Sequence, residues 1–288
     1  MIGDDVMDIQ DIVNQVIEEI EKKKKISNTE EIVETVKRHI IVEDKREVRV
    51  DNPADYEIID KARRVTPARI GVGRAGTRLK TKEYLYFRID HAAAQDAVFN
   101  GVSEEFLKDM NLPVLHSKSE SMDEYLMNLD SGRFLNDPSK DWAKVNLSKN
   151  KQVQIIISDG LSSSGIEANI PDLLPALMQG LEAKDISIGE PVFIKRSRVW
   201  IQDELASIIN CDVVISLIGE RPGLATSKSI SAYLIYRPTE NTVEADRTVI
   251  SNIHEGGIPP VEAGAYLADV IEKVLTHKVS GVKFAQLA

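Results

Sequence analysis

The feature that most constrains the fold is the alternation of strand-like and helix-like segments from residue 151 onward. Short runs rich in β-branched residues predict five strands, at 153–157, 192–194, 213–218, 232–236 and 248–250. Apolar residues at helical spacing predict three helices, at 169–183, 201–210 and 260–277. Strands that alternate with helices in this way are typical of a largely parallel sheet covered by helices, and the unbroken apolar run 213–218 indicates burial on both faces.

The chain before residue 151 has a different pattern. Residues 46–150 are mainly helix and loop, with predicted helices at 84–99 and 103–110 and predicted loops at 137–139 and 146–151. Residues 1–45 form an extension with amphipathic helical patterns, the first of which has an apolar stripe of Ile9, Val13, Val16, Ile17 and Ile20. Because such short helices need a surface to pack on, the extension either folds back on its own chain or docks on a partner.

Charge and composition exclude several partners and locations. The chain has 46 acidic and 36 basic residues, and this formal net charge of −10 repels nucleic acid and anionic membranes, so we expect neither as a partner. No apolar run approaches the roughly 18 residues that a membrane helix needs. The single cysteine, Cys211, indicates a reducing cytosol. The acidic N-terminus lacks the positive charge of a secretory signal.

Residues 71–76 read Gly-Val-Gly-Arg-Ala-Gly, which is the glycine spacing of a dinucleotide-binding loop. That fingerprint needs a buried strand before it and a helix that opens inside it. Here a basic, proline-containing stretch precedes Gly71, and a segment rich in arginine and lysine follows Gly76. The context favours a tight loop lined by arginines, and a nucleotide-dependent oxidoreductase that uses Gly71–Gly76 is the alternative function.

Two polar, glycine-containing loops follow predicted strands. Residues 158–165 come after the strand at 153–157, and residues 219–223 come after the strand at 213–218. Because the carboxyl ends of parallel strands meet at one edge of a sheet, we expect both loops to border a ligand site. Backbone amides of the first loop can donate hydrogen bonds to a ligand. Glu220 in the second can accept them, with a structural ion pair as the alternative role.

The remaining polar residues do not predict a catalytic centre. Glu244, Asp246 and His254 match no standard metal-site spacing. Cys211 precedes a buried strand and has no histidine near it in the sequence, which argues against a catalytic thiol. The residues therefore predict a binding edge without a catalytic set or a metal site.

Taken together and in this order, five segments resemble the small subunit of ethanolamine ammonia-lyase. They are TPARIGVGRAG (66–76), DHAAAQD (90–96), ISDGLS (157–162), GERPGL (219–224) and EADR (244–247) with the following Ile253-His254. The resemblance covers roughly residues 60–288, and the combination of segments is far more specific than any one of them.

The resemblance implies a function and a partner. Holoenzymes of this family use adenosylcobalamin to convert ethanolamine into acetaldehyde and ammonia by a radical route. The large subunit, a TIM barrel, carries the substrate and the catalytic residues, and the small subunit covers the cofactor with its α/β domain. Relatives work inside a bacterial microcompartment, which suggests residues 5–21 as a packaging segment that contacts the shell.

The family's cobalamin contacts carry over to three positions of this chain, Val199, Glu220 and Val249. Some relatives have cysteine at the position of Val249, so a thiol is dispensable there or the contact is made by the main chain. The D-x-H-x-x-G motif, which replaces the cofactor's own base with a histidine, is absent. The resemblance therefore implies that the benzimidazole stays on cobalt.

We thus expect an α/β protein with three parts: an extension over residues 1–45, a mainly helical domain over 46–150, and a Rossmann-like α/β domain with a parallel sheet over 151–288. The expected function is that of a cobalamin-covering lyase subunit in the cytoplasm or a microcompartment. Two alternatives are the oxidoreductase named above and a cobalamin-free scaffold for the large subunit.

Overall fold

The computed structural model describes residues 47–287, and the chain divides into two compact units between Val72 and Gly73. The described part of the first unit contains helix α1 (Tyr56–Arg64). Asp55 caps this helix by accepting a hydrogen bond from the Ile58 amide at 3.0 Å. Basic side chains in its last turn complement the helix dipole.

The second unit contains the other helices and all the strands of the described chain. Its helices are α2 (Thr81–Phe99), α3 (Glu104–Asp109), α4 (Met122–Met127), α5 (Asp137–Asn146), α6 (Ser163–Glu182), α7 (Ile201–Ile209), α8 (Pro260–His277) and α9 (Gly281–Ala285). Its strands are β1 (Arg74–Ala75), β2 (Arg78–Leu79), β3 (Val114–His116), β4 (Val153–Ser158), β5 (Val192–Lys195), β6 (Val213–Gly219), β7 (Ile230–Tyr236) and β8 (Thr248–Ile253).

Six strands form one sheet in the order β3-β5-β4-β6-β7-β8. The four strands β3, β5, β4 and β6 are parallel, whereas β7 runs antiparallel to β6 and β8 antiparallel to β7. A parallel connection needs a crossover, usually a helix, but the segment 220–229 between β6 and β7 contains none. The chain therefore turns back beside β6. The mixed α/β fold with a mainly parallel sheet is confirmed, and the Rossmann-like classification stays a prediction.

Each face of the sheet carries its own hydrophobic core. Ile155 and Ile157 of β4 point to one face, which packs against α6 and α8. Ile156 points to the other face, where α5 and α7 contribute the cluster. Every residue of β4 and β6 is buried, which confirms the burial on both faces that the apolar run 213–218 indicated.

Two segments before residue 151 differ from their predictions. Residues 137–139 are the first turn of α5, because Asn136 accepts a hydrogen bond from the Ser139 amide at 2.9 Å and a proline lies in the first turn. The loop predicted there was wrong. Strand β3, which lies in the region predicted to be mainly helical, forms an edge of the sheet beside β5. The domain boundaries at 45/46 and 150/151 stay predictions.

The helical patterns of residues 1–45, including the proposed packaging segment 5–21, lie outside the described residues. Among residues 47–287, none of the helices combines the length and the apolar character that crossing a membrane requires.

Candidate functional site

The candidate site lies at the edge of the sheet where the parallel strands end. Glu220 directly follows β6, and Val199 lies in the connection between β5 and α7. Because Gly219 at the end of β6 pairs with Ile230 at the start of β7, and Ile230 pairs with Ile253 at the end of β8, the same edge includes both antiparallel strands. The expectation that the loops after β4 and β6 share one edge is confirmed.

Glu220 is half-buried and held by hydrogen bonds from the neighbouring strands. Its Oε1 accepts a short hydrogen bond from the Ser231 hydroxyl and another from the Asn252 amide at 2.9 Å. The Ser231 hydroxyl also lies 3.0 Å from the hydroxyl of Ser251 on β8. The Glu220 amide donates to the Ser229 carbonyl at 3.0 Å. Both the backbone and the carboxylate of Glu220 are therefore fixed.

These contacts favour the ionised form of Glu220. Burial raises the pKa of its carboxyl group, but the hydrogen bonds donated to the carboxylate, with a smaller contribution from His254, outweigh burial and hold the pKa below its usual value. Burial likewise raises the pKa of Tyr233, whose hydroxyl lies near Ser231 and Glu220. At neutral pH the edge presents a carboxylate beside a neutral phenol.

Val249 lies within β8 rather than on a loop. It pairs with Tyr233 of β7, which pairs with Ser216 of β6, and directly paired side chains in a sheet lie on the same face. Val249 remains 47% exposed, whereas Ser216 is fully buried. The hydroxyl of Ser216 has no hydrogen-bond partner within the described residues. This row places an open apolar side chain and an unsatisfied hydroxyl on one face.

Val199 is half-buried in a loop that is braced by residues far away in the sequence. Its carbonyl accepts a hydrogen bond from the Gln202 amide at 3.2 Å, and this bond lies at the start of α7. The preceding Arg198 donates its amide to the Gly132 carbonyl at 2.7 Å and stacks its guanidinium 4.3 Å from the ring centroid of Tyr125. The loop that carries Val199 is therefore fixed on both sides.

Tyr125 supports the same loop from beneath. Its hydroxyl donates to the Ser197 carbonyl at 3.1 Å, and the residue is 2% exposed. Burial raises the pKa of Tyr125 to about 12, against an opposing effect of Arg198. The phenol therefore stays a neutral donor across the physiological range. Nothing in the sequence near position 125 signalled this contact, since 72 residues separate Tyr125 from Ser197.

The backbone amides of the loop after β4 have different hydrogen-bond partners from those predicted. Backbone amides were expected to face a ligand, but the Gly160 amide donates to the side chain of Asp159 at 3.0 Å, and the Leu161 amide donates to the Gly219 carbonyl at 3.0 Å. The Ser162 hydroxyl caps α6 by accepting from the Gly165 amide at 2.9 Å. The loop is thus tied to the protein itself.

The glycine motif at 71–76 does not adopt a dinucleotide-binding conformation. No strand precedes Gly71 within the described residues, and the motif leads into the two-stranded hairpin β1–β2 instead of a helix. Gly76 has a φ of 62°, which suits the first turn position of such a hairpin. The tight loop that the sequence favoured is confirmed.

Other residues that the sequence singled out have structural roles. The Asp246 carboxylate accepts from the Val243 amide at 3.0 Å, and His254 Nε2 lies 2.9 Å from Asn252 Oδ1. No cluster of metal-ligating side chains is found among residues 47–287. Burial raises the pKa of the Cys211 thiol to about 12, which makes it a poor nucleophile.

A cavity of about 580 Å³ is lined by none of the three candidate residues. Its walls come from α3, the turn that follows it, β3 and β5, and its floor is largely apolar, with Leu107, Leu112 and Phe193 among the lining residues. The candidate residues, two on loops at the strand ends and one within β8, thus lie outside the lining of this cavity.

Comparison with known proteins identifies the relatives of this chain. Residues 56–285 match the model of the ethanolamine ammonia-lyase light chain family. The small subunit of ethanolamine ammonia-lyase from Listeria monocytogenes serovar 1/2a is 46% identical over 260 residues, covering 88% of this chain and 89% of the relative.

Two clostridial relatives carry the same description. The small subunit from Clostridium tetani is 51% identical over 234 residues, which cover 81% of this chain and 79% of the relative. The small subunit from Clostridium perfringens is 43% identical over 270 residues, which cover 94% and 90%. Such identity over most of both chains extends well beyond the candidate edge.

Proposed function

Because the chain belongs to the ethanolamine ammonia-lyase light-chain family, we propose that it covers adenosylcobalamin at the interface with the large subunit of that lyase. In this role it supplies cofactor contacts through Val199, Glu220 and Val249. The observation that carries the proposal is the state of Glu220, a carboxylate held ionised and immobile at the carboxyl edge of the sheet.

The residues at this edge and on the adjoining sheet face that carries Val249 fit the chemistry of a corrin. Corrin side chains end in amides, which are hydrogen-bond donors, and an ionised carboxylate retains acceptor sites after accepting two hydrogen bonds. The exposed side chain of Val249 offers apolar contact to a ring. The buried hydroxyls of Ser197 and Ser216, which lack partners among the described residues, are further hydrogen-bonding groups beneath this surface.

The proposed reaction converts ethanolamine into acetaldehyde and ammonia. Bound adenosylcobalamin supplies the radical chemistry, and protein groups supply binding, orientation and seclusion from water. In this chain, the described residues offer an acceptor, apolar contact and fixed loops. We assign the catalytic residues to the large subunit, as the family resemblance implies. In this proposal the chain is the non-catalytic subunit of the lyase.

The cofactor is proposed to keep its own benzimidazole on cobalt. The segment closest to the histidine-ligand motif is 252–257, which begins with Asn252 instead of aspartate. His254 Nε2 lies 2.9 Å from the Asn252 side chain. An amide oxygen stabilises a neutral imidazole less effectively as a metal ligand than a carboxylate does, so this histidine is poorly prepared to displace the base.

The experiment that tests the proposal measures adenosylcobalamin affinity in the co-expressed complex of both subunits. Glu220→Ala removes a charge-assisted hydrogen bond of about 1.5–3 kcal/mol, so the Kd should rise about 10- to 150-fold. Glu240→Ala removes an equal charge from an exposed position beyond the other end of β7 and is the control. An unchanged Kd for Glu220→Ala would favour a cobalamin-free scaffold.

Location in a microcompartment is a second part of the proposal. The stripe of apolar residues in segment 5–21 supports it, because an amphipathic helix is a suitable ligand for a groove on a shell protein. Removal of residues 5–21 should leave the lyase active in extracts and lower its recovery with purified shells. Unchanged recovery would exclude this segment as the packaging signal.

A further inference from the structure

We propose that Asp159 is a positioning residue that holds the Val199 loop (residues 196–200) in register with the end of β6, where Glu220 lies. The inference rests on the proposed function, because it assigns a role within the proposed cofactor surface. Asp159 itself is 2% exposed and lies directly after β4, between the two loops that it connects.

A single oxygen of Asp159 gathers donors from two loops. Its Oδ1 accepts from the Arg196 amide at 2.6 Å, from the Gly160 amide at 3.0 Å and from the Ser158 hydroxyl at 3.3 Å. The Arg196 contact joins residues 37 positions apart in the sequence. This carboxylate therefore ties the end of β4 directly to the residue that follows β5.

The contact between Asp159 and the Arg196 amide stabilises an unfavourable backbone conformation of Arg196. Arg196 has a φ of 56°, in the left-handed region that residues other than glycine rarely adopt. Its amide points at Asp159 Oδ1, so the carboxylate stabilises a conformation that the residue type disfavours. Without this acceptor, the left-handed conformation of Arg196 loses the hydrogen bond that stabilises it, and the direction of the Val199 loop changes.

Ser158 reinforces the same arrangement one residue earlier. Its hydroxyl oxygen accepts from the Ser197 amide at 3.1 Å and donates to Asp159 Oδ1. Two consecutive amides of the Val199 loop, those of Arg196 and Ser197, are thus held by two consecutive side chains of β4 and its loop. Such a pair fixes orientation as well as position.

The backbone of the same segment is locked to the end of β6. The Leu161 amide donates to the Gly219 carbonyl at 3.0 Å. A Cβ on Gly219 would overlap the backbone oxygens of Asp159 and Ser162, so the two segments approach as closely as backbone allows. Since Glu220 is the next residue, any shift of the Asp159 segment is transmitted to it.

Electrostatics favour backbone positioning over ion pairing as the role of Asp159. Burial raises the pKa of its carboxyl group, and hydrogen bonds from Arg196, Ser158 and Gly160, with a smaller contribution from the charge of Arg196, oppose that rise. No salt bridge to Asp159 is found within residues 47–287, and the Arg196 guanidinium donates instead to the Glu120 carbonyl. The carboxylate acts through amides and a hydroxyl of its own chain.

The test uses the co-expressed complex and two readouts, adenosylcobalamin Kd and amide hydrogen exchange of peptides that cover 196–200 and 219–224. Asp159→Ala should raise exchange in the first peptide and raise the Kd about tenfold or more. Asp159→Asn, which keeps a carbonyl acceptor, should restore much of both. Asp172→Ala, at an exposed position of α6, should change neither.

Each outcome separates the inference from the function on which it rests. If Glu220→Ala weakens binding but Asp159→Ala changes neither exchange nor Kd, the positioning role is wrong and the proposed function stands. If Glu220→Ala has no effect, the proposed function fails, and exchange at 196–200 alone decides the role of Asp159. If Asp159→Ala does not assemble, Asp159→Ser replaces it, because its shorter side chain cannot place an oxygen where Oδ1 meets the Arg196 amide: faster exchange at 196–200 supports the inference and unchanged exchange overturns it.

Discussion

Arg247 forms an ion pair with Asp203 in which one guanidinium nitrogen contacts both carboxylate oxygens, joining the residue before β8 to the first turn of α7. Its Nη2 lies 2.6 and 2.7 Å from the two carboxylate oxygens, and its Nε lies 3.3 Å from Gln202 Oε1. Only 3% of the Arg247 side chain is exposed. Because α7 follows the Val199 loop and β8 carries Val249, the pair links two elements of the candidate site.

Removal of this pair should destabilise the protein strongly. Arg247→Ala leaves a partly buried carboxylate without its partner, a change that costs about 3 kcal/mol in comparable buried pairs. Chemical denaturation of the variant and the parent gives the free energy of unfolding. Arg247→Lys keeps the charge but loses the guanidinium contacts with Gln202 and with the Val243 carbonyl, so its stability should lie between those of the parent and Arg247→Ala. A loss below about 0.5 kcal/mol in Arg247→Ala would show that the pair behaves like a surface salt bridge.

Gly219 should not tolerate a side chain. A Cβ there would collide with the backbone of Asp159 and Ser162, which cannot move aside as a flexible side chain would. Gly219→Ala should therefore lower the free energy of unfolding by about 2 kcal/mol, as overpacking typically does. Gly223→Ala is the matched control, because the nearest atom to its Cβ would be 3.9 Å away. Equal stability of the two variants would contradict the close approach.

The stability of the protein should depend on the ionisation of Glu220 at low pH. Its pKa in the folded state lies below the ordinary value of 4.5, so its favourable contribution is present above that value. The contribution is lost as pH falls through the lower folded-state pKa. Denaturation at several pH values between about 3 and 6 should show a shallower decline for Glu220→Gln than for the parent. Parallel curves would mean that the carboxylate is not held ionised.

The Cys211 thiol should resist modification while the protein is folded. Burial raises its pKa from an ordinary value of 9.0 to about 12, and the thiolate is the reactive form. A disulfide reagent at pH 8 should react slowly with the native chain and rapidly after denaturation. The unfolded thiol ionises above about pH 9 while the folded one stays protonated, so this group also lowers stability between about pH 9 and 12. Rapid labelling of the native chain would contradict the burial.

Local sequence patterns predicted the elements of the sheet domain well. The helix predicted at 260–277 has those bounds in the structure, since proline favours a first turn and Lys278 ends the helix in a left-handed conformation. The strand at 213–218 was recognisable because burial on both faces leaves an unbroken apolar run. The three-residue strand β3 was missed because so short an edge strand has almost no periodic pattern.

The candidate edge was predictable from topology, but its internal contacts were not. Parallel strands place their following loops together, which brought the loops after β4 and β6 to one edge. The pairing of Asp159 with Arg196 joins positions 37 apart, and that of Arg247 with Asp203 joins positions 44 apart. Such contacts depend on strand register and loop direction, which a local pattern does not encode. Val199 and Val249 were predicted as site residues only from the family resemblance, because an isolated valine gives no local signal of function.

The absence of a helix between β6 and β7 has a consequence for how this surface can change. A crossover helix at that point would restore a parallel strand and spread its own side chains over the neighbouring sheet face. The ten residues 220–229 return the chain without a helix and contact the start of α6 through the carbonyls of Ser227 and Lys228, while Val249 of β8 stays 47% exposed. The length of this loop therefore controls access to the sheet face around Val249. A short insertion would only lengthen the loop, whereas an insertion long enough to form a helix would cover that face.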